Sequence, residues 1–425
     1  MNYFLKTYGC QMNVHDSEFL AGVLEAHGLQ PSPLADADLV VLNTCSVRDN
    51  AEQKVRSFLG KLRARPITKR NALVIVAGCM AARVRHDLSR QPEVAMVCGP
   101  EELEAFPTRL TALLEERGLP FDRPPSSIPY KREASVRAYV NITLGCDNFC
   151  TYCVVPYLRG RERSRPLEEI LQEVRDLVRG GFPEVVFLGQ NVNAYGKDLP
   201  SGDFAALLTR TNAIDGLQRI RYTTSHPRDF SWELVKTIQG LPKVCEHFHL
   251  PLQAGSNQIL AAMHRDYTCE QYLDLVSFIR TEIPAASITT DLIVGFPGEQ
   301  EQDFNQTLAL MRQIRFDNAH ILTYSPRPGT AAFSLGDPVL PDEKDRRLQI
   351  LMTQHEQDAR FRNQMLVGQT QEVLVEGIDP RRHRLLGRTR TDKLIAFIGV
   401  ESLVGQFINV VIEKAYAWSL EGSPL

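Results

Sequence analysis

The sequence predicts an α/β protein of several domains that ends in a small module built only of β-strands. Three observations predict this. The chain has 425 residues, which is too many for one ordinary core. Short apolar runs alternate with helical patterns over most of its length. After Gly368 the pattern changes to short β runs separated by glycines.

Residues 1–117 predict a small domain with a parallel sheet. The apolar runs at 3–7, 39–43 and 72–77 are the predicted strands. Helical patterns begin near Asp16 and Asp49, and a helix at 101–116 closes the domain. Residues 118–131 follow as a linker, because their prolines and serines cannot continue a helix.

Residues 132–362 predict a parallel barrel of six strands, or a partial barrel of the (β/α)6 kind. The strands are expected at 139–143, 185–188, 220–224, 248–250, 287–294 and 319–324. Each runs into a polar or glycine-containing loop, and barrel enzymes carry their chemistry at this end of the strands. A long helix at 342–365 leads out of the barrel, and residues 363–425 predict a small β-barrel of a class that often holds RNA.

Composition limits the compartment and the mode of binding. No apolar run approaches the roughly 20 residues of a membrane span, and no targeting signal is recognised, so we expect a cytoplasmic protein away from membranes. In a reducing compartment the nine cysteines are expected to be thiols or metal ligands. The formal net charge of −3 means that any nucleic-acid site depends on local basic patches.

One set of three cysteines has the spacing of an iron–sulfur site. Cys146, Cys150 and Cys153 form C-x-x-x-C-x-x-C at the end of the first predicted barrel strand. Three thiolates leave one iron of a four-iron cluster without a protein ligand, so that iron can bind a substrate or cofactor. The alternative is a chance group of buried thiols. The spacing does not fit a zinc site, because the second pair of Cys or Cys/His ligands that zinc needs is missing.

A second set of cysteines is dispersed in the first domain. Cys10, Cys45 and Cys79 each follow a predicted strand, and the ends of parallel strands share one edge of a sheet. Periodicity alone leaves two interpretations open, a converging metal site or three ordinary buried thiols. Cys98 also ends an apolar run and is interpreted as a bystander.

The residues around these cysteines resemble a known family, the radical S-adenosylmethionine (SAM) methylthiotransferases, over essentially the whole chain. The N-terminal motifs are TYGCQMN at 7–13, NTCSVR at 43–48 and AGCM at 77–80. The sequences GCDNFCTYCVVPY at 145–157, RGRERSRP at 159–166, GQNVN at 189–193 and TTSHP at 223–227 resemble the branch that acts on isopentenylated adenosine of tRNA. Asp147 and Cys98 depart from the family pattern.

The resemblance implies the cofactors and the reaction. Cys146, Cys150 and Cys153 would hold a [4Fe-4S] cluster that binds SAM, and Cys10, Cys45 and Cys79 a second [4Fe-4S] cluster that binds or supplies sulfur. The product would be 2-methylthio-N(6)-isopentenyladenosine, next to the anticodon of tRNA. No catalytic residue beyond the cluster ligands is expected. The family layout implies a cluster domain, a radical SAM barrel and a C-terminal TRAM domain.

Further residues are candidates for contacts with SAM and tRNA. The SAM candidates are Tyr152, Asn193, Ser225 and Gly295, although ordinary loop packing is the alternative for each. The tRNA candidates are Arg159, Arg161, Arg163 and Arg165 after the cluster loop, and Arg381, Arg382, Arg384, Arg388 and Arg390 in the β module. A solvated or salt-bridged face is the alternative for these arginines.

Partners and rival functions follow from the same resemblance. We expect a monomer that uses tRNA, an electron donor and a sulfur or cluster donor protein. The nearest rivals are methylthiotransferases that act on threonylcarbamoyl-adenosine of tRNA or on an aspartate of a ribosomal protein. A non-catalytic iron–sulfur protein that binds RNA, and a zinc-stabilised RNA-binding module, are rivals from other classes.

Overall fold

The computed structural model describes residues 1–46, 49–64, 72–125, 130–132 and 136–425. The chain divides into two compact units. The first contains residues 1–134, 144–147 and 154–162, and the second contains residues 135–143, 148–153 and 163–425. No described helix is both long enough and apolar enough to cross a membrane.

The first unit is built on a five-stranded parallel sheet with the strand order β2-β1-β3-β4-β5. Its strands are β1 (Asn2–Tyr8), β2 (Gln30–Pro31), β3 (Leu39–Thr44), β4 (Leu73–Gly78) and β5 (Val94–Cys98). Its helices are α1 (Gln11–Ala26), α2 (Asp49–Ala64), α3 (Cys79–Arg83), α4 (Arg85–Ser89) and α5 (Phe106–Glu116), with α6 (Val155–Arg159) contributed by the later segment.

Both faces of this sheet are buried. Leu39 and Val41 point into one apolar core, and Val40 and Leu42 point into a second core on the opposite face. Burial on both faces explains the continuous apolar runs in the sequence. The predicted helix at 101–116 begins as a 3-10 turn, Pro100–Ala105, before α5. The predicted linker is described only in part, because residues 126–129 lie outside the described ranges.

The second unit contains the predicted partial barrel of six parallel strands. They are β6 (Arg137–Asn141), β9 (Glu184–Leu188), β10 (Arg219–Thr223), β11 (His247–His249), β12 (Ser287–Val294) and β13 (Asn318–Thr323). They pair as β10-β9-β6 and β11-β12-β13, and one bridge, Ile220 to Val244, links the two groups. Two short strands, β7 (Thr143–Leu144) and β8 (Arg163–Ser164), lie in the segments after β6.

Seven helices accompany these strands. They are α7 (Leu167–Arg179), α8 (Phe204–Asn212), α9 (Trp232–Gln239), α10 (Asn257–Ala262), α11 (Cys269–Glu282), α12 (Glu301–Ile314) and α13 (Pro341–Gln364). The apolar stripe of α7, which includes Ile170 and Val174, is buried in the main core, whereas its charged residues face solvent.

The C-terminal module is a closed five-stranded barrel with the order β14-β15-β16-β18-β17. Its strands are β14 (Thr370–Asp379), β15 (Arg384–Thr389), β16 (Leu394–Phe397), β17 (Phe407–Ala415) and β18 (Leu420–Pro424). Val373, Ile395 and Phe397 fill a separate small core. The predicted fold class is confirmed in all three parts: a parallel α/β domain, a partial parallel barrel and a small all-β barrel.

A buried ion-pair network joins the β-barrel module to the parallel barrel within the second unit. The side chain of Arg219 is 1% exposed, and its Nη2 lies 2.7 Å from Glu372 Oε1. Its Nη1 donates to the carbonyl oxygen of Arg388 at 2.9 Å. The fully buried Glu184 lies between Arg219, Arg221 and Arg137. These contacts hold β14 and β15 of the module against the amino-terminal ends of β9 and β10.

Loss of Arg219 should therefore destabilise the second unit. Arg219→Met removes the partner of Glu372, one of the three arginines around Glu184, and the donor to the carbonyl oxygens of Arg388 and Glu372. We expect the free energy of unfolding in urea to fall by about 3–5 kcal/mol. The matched control is Arg179→Met, which removes an exposed ion pair with Asp176 and should cost less than about 1 kcal/mol. Equal effects in the two variants would contradict the assigned role of Arg219.

Candidate active site

The register of the first sheet places three cysteines at one edge. Tyr8 pairs with Thr44, and Thr44 pairs with Gly78, at the last positions of β1, β3 and β4. Cys45 and Cys79 immediately follow their strands, and Cys10 follows two residues after β1. The structure thus brings Cys10, Cys45 and Cys79 to the carboxyl edge of the sheet.

The thiols of Cys10 and Cys45 are in direct contact. A hydrogen bond between them lowers the pKa of Cys10 to about 6, although burial opposes the shift. Cys10 is also the N-cap of α1, and a helix N-terminus stabilises a thiolate. Burial raises the pKa of Cys79. A Cβ at Gly9 would lie 2.8 Å from Cys45 Cβ, so a larger residue there would separate the two thiols.

Two buried asparagines hold this edge together. Asn13 Nδ2 donates to Asn43 Oδ1 at 3.0 Å and to the carbonyl oxygen of Thr44 at 3.2 Å. Asn43 Nδ2 donates in return to the carbonyl oxygen of Asn13 at 2.8 Å. The Cys10 thiol lies 3.5 Å from Asn13 Oδ1. The asparagines of the TYGCQMN and NTC motifs therefore fix α1 to β3 beside the thiols.

Cys98 lies in a different environment at the edge of the same sheet. It pairs with Ala77 in the register of β4 and β5, and its side chain is fully buried. Burial raises the pKa of its thiol to about 12. Its charged neighbours are Arg109, Glu102 and Arg85, whereas those of Cys79 are Arg159 and Asp16. Cys98 packs in the apolar core that contains Leu39, Val41 and Ile75.

A buried ion pair lies against the converging thiols. Arg159 Nη2 is 2.9 Å from Asp16 Oδ2, and each side chain is 5% exposed. The nearby guanidinium also lowers the pKa of the Cys79 thiol, against the larger effect of burial. Although burial opposes its charge, Asp16, Cys79 and Cys10 together raise the pKa of Arg159.

The second cysteine motif begins in the first unit. Cys146 is largely buried, and its backbone N–H donates to the carbonyl oxygen of Gly160 at 3.3 Å. Gly145 has a φ of +77°, and a Cβ there would overlap the carbonyl oxygens of Gly160 and Arg161. Arg161 pairs with Asp147 through Nε at 2.7 Å. These contacts close the chain around Cys146.

The other two cysteines of the motif belong to the second unit, where backbone hydrogen bonds anchor their loop. The N–H of Thr151 donates to the carbonyl oxygen of Met263 at 3.1 Å. The carbonyl oxygen of Thr151 accepts a hydrogen bond from the N–H of Ala332 at 2.8 Å. Arg265 Nη1 donates to Cys150 Sγ at 3.4 Å, and its Nη2 donates to the carbonyl oxygen of Pro251 at 2.8 Å. Arg265 is a residue that the sequence analysis missed, because no motif surrounds it.

Buried polar atoms collect at the carboxyl ends of the barrel strands. Among the described residues, the inaccessible side-chain atoms there without a hydrogen-bond partner include Thr143 Oγ1, Gln190 Oε1, Ser225 Oγ, His226 Nε2 and Gln253 Oε1. Gln253 also has a φ of +73°, which is uncommon for a residue with a side chain. Buried polar groups are normally paired, so these strand ends fit a polar cofactor such as SAM. The sequence motifs contain Gln190, Ser225 and His226, but only Ser225 was predicted to contact SAM.

The remaining predicted SAM contacts are distributed around these strand ends. Tyr152 is partly buried against the barrel core, and burial raises its pKa well above the ordinary value. Asn193 Oδ1 accepts a hydrogen bond from the N–H of His226 at 3.2 Å. Packing alone explains why glycine occupies position 295, since a Cβ there would lie 2.5 Å from Lys344 Cγ. Their contact with SAM stays a prediction.

The arginines after the cluster loop occupy different environments. Arg159 was predicted to contact tRNA phosphates, but its side chain is buried in the ion pair with Asp16 and is not accessible to a phosphate. Arg161 is 75% exposed at its side chain and pairs with Asp147. Arg163 is exposed in β8. Arg165 Nη1 lies 2.7 Å from Glu173 Oε2 and donates to the carbonyl oxygen of Asn141.

The arginines of the β module divide in the same way. Arg381 and Arg382 are exposed at the turn between β14 and β15, where their N–H groups donate to Asp379. Arg384 pairs with Glu421, and Arg388 with Glu376 and Asp392. Arg390 Nη2 lies 2.7 Å from Glu246 Oε1, so it contributes to holding the module on the parallel barrel.

The thiols fit clusters better than a single ion. No group of three or more Cys, His, Asp or Glu in the described part of the chain is arranged to hold one metal ion. In a four-iron cluster each thiolate binds a different iron, so the ligands lie farther apart than those of one ion. Three cysteines in each set, without histidine, also match the softness that iron–sulfur ligation requires.

Comparison with known proteins agrees with this architecture. Three family models match: "Uncharacterized protein family UPF0004" over residues 2–99, the "Radical SAM superfamily" over 140–311 and the "TRAM domain" over 364–425. The tRNA-2-methylthio-N(6)-dimethylallyladenosine synthase of Carboxydothermus hydrogenoformans is 47% identical over 99% of this chain and 98% of its own length. The chain belongs to this family of synthases.

A second family member is similarly close. The synthase of Pelotomaculum thermopropionicum is 46% identical over 99% of this chain and 97% of its own length. Among solved structures, the radical SAM methyltransferase TsrM from Kitasatospora setae has a TM-score of 0.57 at 16% identity, covering 78% of this chain and 77% of TsrM. That likeness shows the fold alone. Membership of the radical SAM superfamily implies SAM and a [4Fe-4S] cluster as cofactors.

The buried imidazole at the strand ends should make stability depend on pH. Burial, with the nearby Arg265, lowers the pKa of His226 to about 2. As pH falls below about 6.5 the unfolded chain takes up a proton that the folded chain refuses, so the free energy of unfolding decreases. The contribution is at most about 1.4 kcal/mol per pH unit.

We expect His226→Asn to flatten this dependence in urea unfolding between pH 7 and pH 5. His86→Asn, at an exposed side chain, is the matched control for the loss of an imidazole. If the two variants have the same slope of stability against pH, the assignment to His226 is wrong.

Proposed function

We propose that this protein methylthiolates carbon 2 of N(6)-dimethylallyladenosine, next to the anticodon of tRNA, in a SAM-dependent radical reaction. The observation that carries the proposal is the convergence of Cys10, Cys45 and Cys79 on one sheet edge, in a chain that also carries the C-x-x-x-C-x-x-C motif. Full-length relatives that carry the name of this synthase support it. Neither of the two relatives described above carries the threonylcarbamoyl-adenosine or the ribosomal target in its name.

In this proposal Cys146, Cys150 and Cys153 hold the cluster that binds SAM. When bound, a reduced cluster and SAM supply a 5′-deoxyadenosyl radical, which can remove an unactivated hydrogen atom. Arg265 keeps Cys150 in place through its hydrogen bonds. The unpartnered polar atoms of Gln190, Ser225 and Gln253 hold polar groups of SAM, and Tyr152 and Asn193 border the same site.

Cys10, Cys45 and Cys79 hold the second cluster, which supplies the sulfur. The pKa of Cys10, lowered to about 6, keeps this thiol ionised near neutral pH, as ligation of iron requires. The asparagine pair Asn13 and Asn43 fixes the positions of the thiols before a cluster is inserted. Prearranged ligands reduce the conformational entropy that binding must overcome.

Recognition of tRNA falls to the exposed basic groups. Arg381 and Arg382 at the turn of the TRAM barrel, with Arg161 and Arg163, are the accessible members of the predicted set. Such side chains position a nucleic acid through its phosphates. The proposed reaction also requires an electron donor and a sulfur or cluster donor protein, and the cytoplasm is its proposed compartment.

The two cysteine sets should separate into two activities. In reconstituted protein under anaerobic conditions, Cys150→Ala is expected to abolish both 5′-deoxyadenosine and methylthio-adenosine, because SAM cleavage is lost. Cys45→Ala is expected to retain SAM cleavage and to lose the methylthio product by at least tenfold. Mass spectrometry of isopentenylated tRNA and of the small-molecule fraction measures both.

The control for a general effect of thiol loss is Cys98→Ala, which should keep both products. Equal loss of the two products in both Cys45→Ala and Cys150→Ala would contradict the division of labour. Deoxyadenosine without methylthio-adenosine in the wild-type protein would leave a radical enzyme with a different target.

A further inference from the structure

We propose that Arg159 and Asp16 are positioning residues that set the reduction potential of the cluster held by Cys10, Cys45 and Cys79. This inference rests on the proposed second cluster. It assigns to the pair an electrostatic task inside the first unit, in place of the phosphate contact that the sequence predicted for Arg159.

The geometry places one full positive charge beside the thiols. Arg159 is the last residue of α6, which packs against α3, and α3 begins at Cys79. Arg159 Nη2 lies 2.9 Å from Asp16 Oδ2, and the guanidinium also lowers the pKa of the Cys79 thiol. Cys10 is also within its electrostatic reach. The positive charge therefore acts on two of the three proposed ligands.

Burial makes this charge effective. Both side chains are only 5% exposed, so solvent screens their charges little. A buried arginine is costly unless it is fully paired, and Asp16 alone would already satisfy the ion pair. The guanidinium also interacts electrostatically with Cys79, so its positive charge acts on the thiols as well as on Asp16.

The sequence position of Arg159 supports the same task. It lies six residues after Cys153, the last cysteine of the SAM motif. Residues 154–162 nevertheless belong to the first unit, with the other three cysteines. The segment that follows the SAM motif in the sequence therefore belongs to the unit that holds the second thiol set, and Arg159 is its buried contact there.

The two charges should move the potential in opposite directions. Reduction adds negative charge to a cluster, so a neighbouring cation favours the reduced form and an anion disfavours it. Arg159→Gln is therefore expected to lower the reduction potential of this cluster. Asp16→Asn, which leaves the cation uncompensated, is expected to raise it. Arg159→Lys keeps the charge and should restore most of the wild-type potential.

The test is a potentiometric titration of the reconstituted full-length protein, followed by electron paramagnetic resonance. The signal that changes on addition of SAM belongs to the SAM-binding cluster, and the other signal is the one measured. The matched control is Arg132→Gln, which removes another buried ion pair on α1, with Glu18, two residues from Asp16. It should leave the potential unchanged.

Opposite shifts in Arg159→Gln and Asp16→Asn, with no shift in the control, support the inference. Shifts of the same sign, or none in either variant, overturn it. If Arg159→Gln fails to load the cluster, Asp16→Asn and Arg159→Lys decide, and a wild-type potential in Asp16→Asn overturns the inference. A wild-type protein that lacks the second cluster would instead contradict the proposed function.

Discussion

The parallel register of β1, β3 and β4 is the constraint on which the rest of the site depends. It sets Tyr8, Thr44 and Gly78 side by side, so the residues that follow must emerge together at one edge. A shift of one residue in any strand would turn its cysteine away from the others. Burial of both sheet faces fixes that register, since Leu39 and Val40 fill different cores.

The second unit uses the same edge of parallel strands for another purpose. Its strand ends carry polar side chains that the fold leaves buried and without partners, and Gln253 accepts an unfavourable φ there. Such features reduce stability, and they are retained where a ligand completes them. The network of Arg219, Glu184 and Glu372 lies away from these atoms and holds the β-barrel module in place. Stability and ligand binding thus occupy different ends of the barrel.

The sequence predicted the strands well, because buried parallel strands are continuous apolar runs, and β3 and β4 differ from prediction by one residue at either end. It missed β2, α3 and α4, which are too short for periodicity to appear. It placed the start of α1 near Asp16, whereas the helix begins five residues earlier at Gln11, with Cys10 as its N-cap. The burial of Arg159 was not predictable, because its partner lies 143 positions away and alternating arginines indicate a surface.

The most direct test of the central claim is an iron and sulfide count on the full-length variant Cys146→Ala/Cys150→Ala/Cys153→Ala after anaerobic reconstitution. If the strand-end thiols hold a cluster by themselves, about four irons remain per chain, and adding Cys45→Ala removes them. If the triple variant binds no iron while the wild-type protein does, the three strand ends do not form an independent cluster site, and the account is contradicted.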